Sequence, residues 1–260
     1  MHTEGYEYHA DRGEQLNRGI EVRRLSKAFS ANAVRAVDEV SFDAAPGEVV
    51  GLLGANGAGK TTIVKMVSTL LRPTSGTVCV GGHDTVSDSR AVRASLGVLF
   101  GGDTGLYGRL SARENIRYFA ALNGLDRSKS ELRVEELSDL FGLHSFIDRL
   151  VATYSSGMKQ RTALARSVVH DPPFLILDEP TTALDIGTTQ VVHAYVSRSR
   201  NEGKTVILSS HDTIELEQLC DRVLTVDDGK IVDEAHRDRD FGGDAGSLRA
   251  RFPAIGSGTQ

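Results

Sequence analysis

From Gly54 to Thr62 the chain reads GANGAGKTT, with the apolar run VVGLL just before it and IVKMVSTLL directly after it. The first run is short, continuous and valine-rich, as a strand covered on both faces is. The second places Ile63, Val64, Met66, Val67, Leu70 and Leu71 at helical spacing. Between such a strand and such a helix, the pattern G-x-x-x-x-G-K-[ST], met by Gly54, Gly59, Lys60 and Thr61, reads as a phosphate cradle. Glycine lets the backbone bend until its N–H groups face one anion, and the helix N-terminus adds a favourable field. The loop Gly54, Ala55, Asn56, Gly57, Ala58, Gly59, Lys60, Thr61 and Thr62 is therefore the expected nucleotide contact. Lys60 is expected on the β- and γ-phosphates, Thr61 on Mg²⁺ and Thr62 toward the α-phosphate.

Strand and helix signals alternate along the rest of the chain. PFLILDE, KTVILSS and DRVLTVDDGKIV read as strands, the last as a hairpin about Asp228-Gly229. TTQVVHAYVSRSR and DTIELEQLC between them read as helices, so the core is α/β with a parallel sheet. The stretch from about 88 to 170 reads as mostly helical. Ser111 and Glu114 form a capping box there, and Gly142 closes a second helix. The expected boundaries are a flexible tail over 1–19, one domain over 20–240 with a helical part at about 100–165, and a Gly/Ser/Arg-rich flexible tail over 241–260.

FLILDEP, Phe174 to Pro180, ends an apolar strand in two acids. Paired carboxylates at the end of a buried strand imply a charge to meet. Asp178 suits Mg²⁺, and Glu179 suits the attacking water as general base or orienting group. His211, in SSHD, ends another strand at the carboxyl edge, where open α/β sheets bind ligands, and could sense a γ-phosphate. YSSGMKQR, Tyr154 to Arg161, opens one more helix with small residues, a second place for phosphate. Two anion sites and one nucleotide per chain make sense if a second chain supplies one of them.

Together with TALD, Thr182 to Asp185, these stretches resemble, in chain order and spacing, the ATP-binding cassette (ABC) family over about residues 20–235. GANGAGKTT resembles its Walker A motif, YSSGMKQR its signature, FLILDEP its Walker B, TALD its D-loop and SSHD its switch histidine. The resemblance implies an ABC-type P-loop NTPase with a RecA-like core, an antiparallel β-subdomain and a helical subdomain. It implies ATP and Mg²⁺, with Thr61 and Asp178 on the metal, and Glu179 and His211 as catalytic residues. It places Ser155, Ser156 and Gly157 on the ATP of a partner subunit, Asp185 in the D-loop, and Phe29 against the adenine. Further stretches, GDTGLYGRLSARENIRYFAALNGL and GMKQRTALARSVVHDPPFLILDEPTTALD, are similar to ATPase subunits of ABC-2 type exporters of sodium, drugs or antibiotics. The partners implied are a second ABC subunit, homo- or heterodimeric, and a separate multi-spanning membrane subunit. The place implied is the cytoplasmic face of the cell membrane.

The chain departs from the family pattern at Tyr154, Ser156 and Met158 of the signature, at Ala55, and at Gly101, which stands where a glutamine is usual. Asp103 is a candidate to replace that glutamine. The alternative function is a soluble ABC ATPase acting on nucleic acid or ribosomes. The net charge of −5 speaks against it, so no nucleic-acid partner is expected. A GTPase would need an N-K-x-D motif, which is absent, and a small-molecule kinase has no use for YSSGMKQ. Cys79 and Cys220 are too few and too far apart for a metal site or disulfide framework, and read as buried thiols. The polar start MHTEGYEYHADRGEQLNRG lacks a signal peptide's apolar core, and no apolar run approaches the ~18 residues of a membrane helix.

Overall fold

The computed structural model describes residues 18–29, 35–102, 105–241 and 248. Asp103 and nearly all of both expected tails lie outside them. Phe241 packs against the core, and Leu248 is fully buried with its N–H donated to Glu217 Oε1.

Five strands, β3 (Val49–Leu53), β6 (Leu96–Phe100), β7 (Phe174–Asp178), β8 (Thr205–Ser210) and β9 (Arg222–Asp227), run parallel, and β10 (Lys230–His236) adds an antiparallel edge. Their order is β10-β9-β3-β8-β7-β6. The runs VVGLL and FLILD are buried at every position, because each face of this sheet is covered by a different layer. Alternate residues separate cleanly. Val50, Leu52, Ile176 and Ile207 meet the second sheet and the helix after the cradle, while Val49, Leu53, Leu177 and Leu208 meet the helices on the other side.

The second sheet is antiparallel, in the order β2-β1-β4-β5, from β1 (Ile20–Ala28), β2 (Arg35–Ala44), β4 (Ser75–Val80) and β5 (His83–Asp84). The helices are α1 (Lys60–Val67), α2 (Ser89–Ser95), α3 (Ala112–Leu122), α4 (Arg127–Phe141), α5 (Ser156–Ser167), α6 (Ile186–Asn201), α7 (Thr213–Leu219) and α8 (Arg237–Asp240). The expected capping box at Ser111 and Glu114 is formed, and Gly142 caps α4 in a left-handed conformation. Helix α1 is shorter than its apolar spacing predicts. Thr69 turns the chain at φ +65°, and Leu70 is left exposed.

Arg222 ties the two sheets together. Its guanidinium bonds Glu48 before β3 at 2.8 Å, Glu234 on β10 at 3.0 Å and the Asp43 carbonyl on β2. Burial works against its charge, but the Glu48 and Glu234 carboxylates more than restore it and raise its pKa above the ordinary guanidinium value. Removing one member of such a cluster leaves a carboxylate uncompensated, at about 3–5 kcal/mol. Arg222→Ala is therefore expected to lower the thermal midpoint by on the order of 10 °C, read by calorimetry. A shift under about 2 °C would show that solvent, not Arg222, balances Glu48.

Candidate functional site

The cradle bends from the end of β3 into α1. Gly59 is the N-cap, at φ +112°, and no side chain caps the helix. The first amides of a helix have no partner within it, so those of α1 are left for a ligand. Ala55, Asn56, Gly57 and Thr61 are exposed at the rim, Thr62 is partly buried, and Gly54, Ala58 and Lys60 are buried. The Lys60 ammonium donates to the Gly54 carbonyl at 2.6 Å and the Ala55 carbonyl at 3.2 Å. It also lies 3.3 Å from Glu179 Oε1, an ion pair that is out of line for a hydrogen bond.

The carboxyl ends of β7 and β8 supply the opposite wall. The Ser209 hydroxyl donates to Asp178 Oδ1 at 2.5 Å, fixing that buried carboxylate. Glu179 donates its N–H to the Ser209 carbonyl at 3.0 Å and sits at φ +48°, a conformation that costs a non-glycine residue energy. Its Oε2 accepts from Thr182 Oγ1 at 2.9 Å and lies 2.8 Å from His211 Nδ1. Lys60, Glu179 and His211 thus form a continuous cation–carboxylate–imidazole line across the mouth of the cradle. Asp178 and Ser209 stand beside it.

Ser155 caps α5, accepting from the Met158 N–H at 3.3 Å, which leaves its hydroxyl hydrogen free to donate. Ser155 and Ser156 are exposed, while Gly157 is buried against the start of α6. A Cβ on Gly157 would lie 2.6 Å from Thr188 Oγ1 and 2.9 Å from Asp185 Oδ2, so a larger residue fits only if those two capping side chains shift. Asp185 is the N-cap of α6. Bonds from the Thr188 N–H and hydroxyl hold its carboxyl below the usual carboxylate range. Tyr154, unusual for the signature, is buried and donates its hydroxyl to the Phe146 carbonyl at 2.7 Å. Gln160 donates to the Pro180 carbonyl at 2.6 Å, joining α5 to the residue after Glu179. Among the described residues, the polar contacts linking Lys60, Asp178, Glu179 and His211 do not extend to Ser155, Ser156 or Gly157.

Phe29 directly follows β1, with 65% of its surface exposed and the Lys27 ammonium 5.5 Å from its ring centre. An apolar face this open suits stacking on a flat heterocycle. Gly101 follows β6 and donates its N–H to the Asp178 carbonyl at 2.7 Å. The roles of Ser209 and Thr182 escaped the sequence reading. Hydroxyl residues crowding two strand ends were the available signal.

Thr61 and Asp178 offer hard oxygen donors, as Mg²⁺ prefers. Among the described residues no group of three or more His, Cys, Asp or Glu side chains could hold a metal.

Residues 37–182 match the family described as ABC transporter. The chain is 44% identical over 199 residues to the ABC transporter ATP-binding protein NatA of Bacillus subtilis (strain 168), covering 76% of this chain and 81% of that protein. It is 40% identical over 224 residues to the daunorubicin/doxorubicin resistance ATP-binding protein DrrA of Streptomyces peucetius, covering 85% of this chain and 66% of that one. Two solved structures share its fold. One is an ATP-binding subunit of an ABC transporter, at TM-score 0.82, 27% identity, 92% of this chain and 100% of that one. The other is a dimeric bacterial ABC transporter cassette, MJ0796, at TM-score 0.77, 25% identity, 84% of this chain and 98% of that one.

Proposed function

This chain belongs to the ABC transporter family, as an ATP-binding, ATP-hydrolysing subunit, and we propose that it powers export through a separate multi-spanning membrane partner. The observation that carries the proposal is the exposed helix end at Ser155 and Ser156, lying outside the polar contacts of the chain's own cradle. That end has work to do if a second cassette, facing head to tail, presents its ATP there. The similarity to NatA and to a drug-resistance ATP-binding protein supports export.

ATP places its phosphates on the amides of Gly57 to Thr62. Lys60 leaves the Gly54 and Ala55 carbonyls and Glu179 for the β- and γ-phosphates, which exchanges one set of acceptors for a more highly charged one. Glu179, released from Lys60, takes the proton of the attacking water. His211 turns its ring N–H to the γ-phosphate. Phe29 covers the adenine. Mg²⁺, held by Thr61 and Asp178, would neutralise charge building on the phosphate oxygens. The partner's signature helix end closes the site, and hydrolysis reopens it.

Among the described residues no helix is long and apolar enough to cross a membrane, so the spanning partner is a different chain in this proposal. The helical subdomain offers it an aromatic surface. Tyr107 and Tyr118 meet edge to face at 5.4 Å, both exposed, with exposed Leu122 farther along α3. The chain then sits peripherally on the cytoplasmic face. Recovery of the tagged chain from its native membranes in mild detergent is expected to bring a multi-spanning protein down in stoichiometric amount. Recovery with ribosomal or nucleic-acid proteins instead would overturn the transport reading.

A further inference from the structure

Glu215 is a carboxylate that the hydrolysis scheme does not use, yet it is 4% exposed, one turn into the helix that follows His211. Its Oε1 accepts from the Thr181 hydroxyl at 2.6 Å and lies 3.0 Å from His193 Nε2. Burial alone would raise its carboxyl. The bonds from His193 and Thr181 outweigh that and hold it below the usual carboxylate range. The three residues come from three different elements. Thr181 lies two residues past Glu179, in the loop that leads to Asp185. His193 lies on α6, which Asp185 caps. Glu215 lies on α7, whose N-cap Asp212 directly follows His211.

We propose that Glu215 is a positioning residue for hydrolysis. Its Oε1 pins the loop bearing Glu179 to the helix that follows His211, and so fixes the 2.8 Å separation of that pair. The inference rests on the assignment of Glu179 and His211 above. Glu179 sits in a strained backbone conformation, and its side chain is reached by single contacts from Lys60, Thr182 and His211. A loop of that kind keeps its geometry only where the surroundings over-determine it. The Thr181–Glu215 bond supplies that constraint from behind. Through α6 the same carboxylate also reaches Asp185, beside Gly157, so it lies where a change at the signature helix meets the catalytic pair.

Thr181→Val in the full-length chain removes the hydroxyl and keeps the shape, which avoids the folding risk of a hole at Glu215. It is expected to lower kcat for ATP by about tenfold while KM stays within about twofold, because positioning acts on the reacting geometry and not on ground-state binding. Thr181→Ser is expected to restore most of the loss. Glu215→Gln added to Thr181→Val is expected to cost less than the product of the two separate losses, as partners in one contact do. Unchanged kcat in Thr181→Val would overturn the inference. So would kcat, KM and the unfolding midpoint all worsening together with Ser no better than Val, which is the pattern of a purely structural contact. Absence of turnover in the unsubstituted protein would sink the assignment of the catalytic pair itself, and this inference with it.

Discussion

Glu179→Gln is expected to slow ATP turnover by about 10²–10⁴-fold while leaving ATP binding intact. The substitution preserves volume and still offers an acceptor to Thr182, which lies 2.9 Å from Oε2, so the strained turn at φ +48° has no reason to relax. What it removes is the charge. That charge sits between Lys60, 3.3 Å away, and His211, 2.8 Å away, and in the proposed scheme it is the group that takes a proton at the mouth of the cradle. Without it, Lys60 loses a competitor for the phosphates. Affinity for ATP should hold or rise even as hydrolysis stops. The ATP-loaded chain should then accumulate as a dimer, since the step that separates the partners no longer occurs. Phosphate release, nucleotide titration and gel filtration with ATP read the three consequences separately. Turnover at the wild-type rate would show that another group activates the water. A variant that remained monomeric with ATP would remove the reason for the signature helix.

Gly101→Gln installs the residue that the family pattern favours, and is nevertheless expected to cost about 10²-fold in kcat. A Cβ at position 101 would lie 2.5 Å from the Glu179 carbonyl, closer than real Cβ contacts come, and 3.0 Å from the Asp178 carbonyl. Backbone, not a flexible side chain, stands in the way, so β6 must back off from β7. That breaks the 2.7 Å bond from the Gly101 N–H to the Asp178 carbonyl. Overpacking of this sort costs about 1–3 kcal/mol in stability. The larger effect falls on rate, because Asp178 and Glu179 are the residues pushed. Gly101→Ala shares the clash without the long side chain and should reproduce most of the loss. Glutamine-bearing protein as active as the original would mean that the two strand ends separate freely. Asp103, the residue suggested as the glutamine's substitute, lies outside the described residues, so the geometry here bears on Gly101 alone.

Contiguous chemistry was legible before any coordinates. The cradle is one unbroken stretch, and its strand, loop and helix are set by local patterning. The capping box at Ser111 and Glu114 is likewise decided within four residues. Helix α1 shows where local patterning fails. Leu70 and Leu71 continue the apolar spacing, but the chain turns at Thr69 and exposes Leu70. Contacts between segments distant in sequence leave no periodic trace. Ser209 reaches Asp178 across 31 positions and Thr181 reaches Glu215 across 34, and nothing near any of the four residues announces its partner. The tight fit of Gly157 against Asp185 and Thr188 is of the same sort. A glycine in the signature could be read as a phosphate contact, but its need to be small for the neighbouring helix appears only when the helices are packed.

The bond from Gln160 to the Pro180 carbonyl has a consequence for how two such chains behave together. Pro180 directly follows Glu179, so on the proposed assignment the helix offered to a neighbour's nucleotide is fastened to the chain's own hydrolytic loop. In a reciprocal pair, each site is then built partly from the back of the other. Filling one site pulls on the loop that serves it and, through Gln160, on the helix lent across the interface. The pair cannot count nucleotides independently: turnover is expected to climb more steeply than in proportion to ATP, with a Hill coefficient above unity, and a lesion in one chain is felt in both.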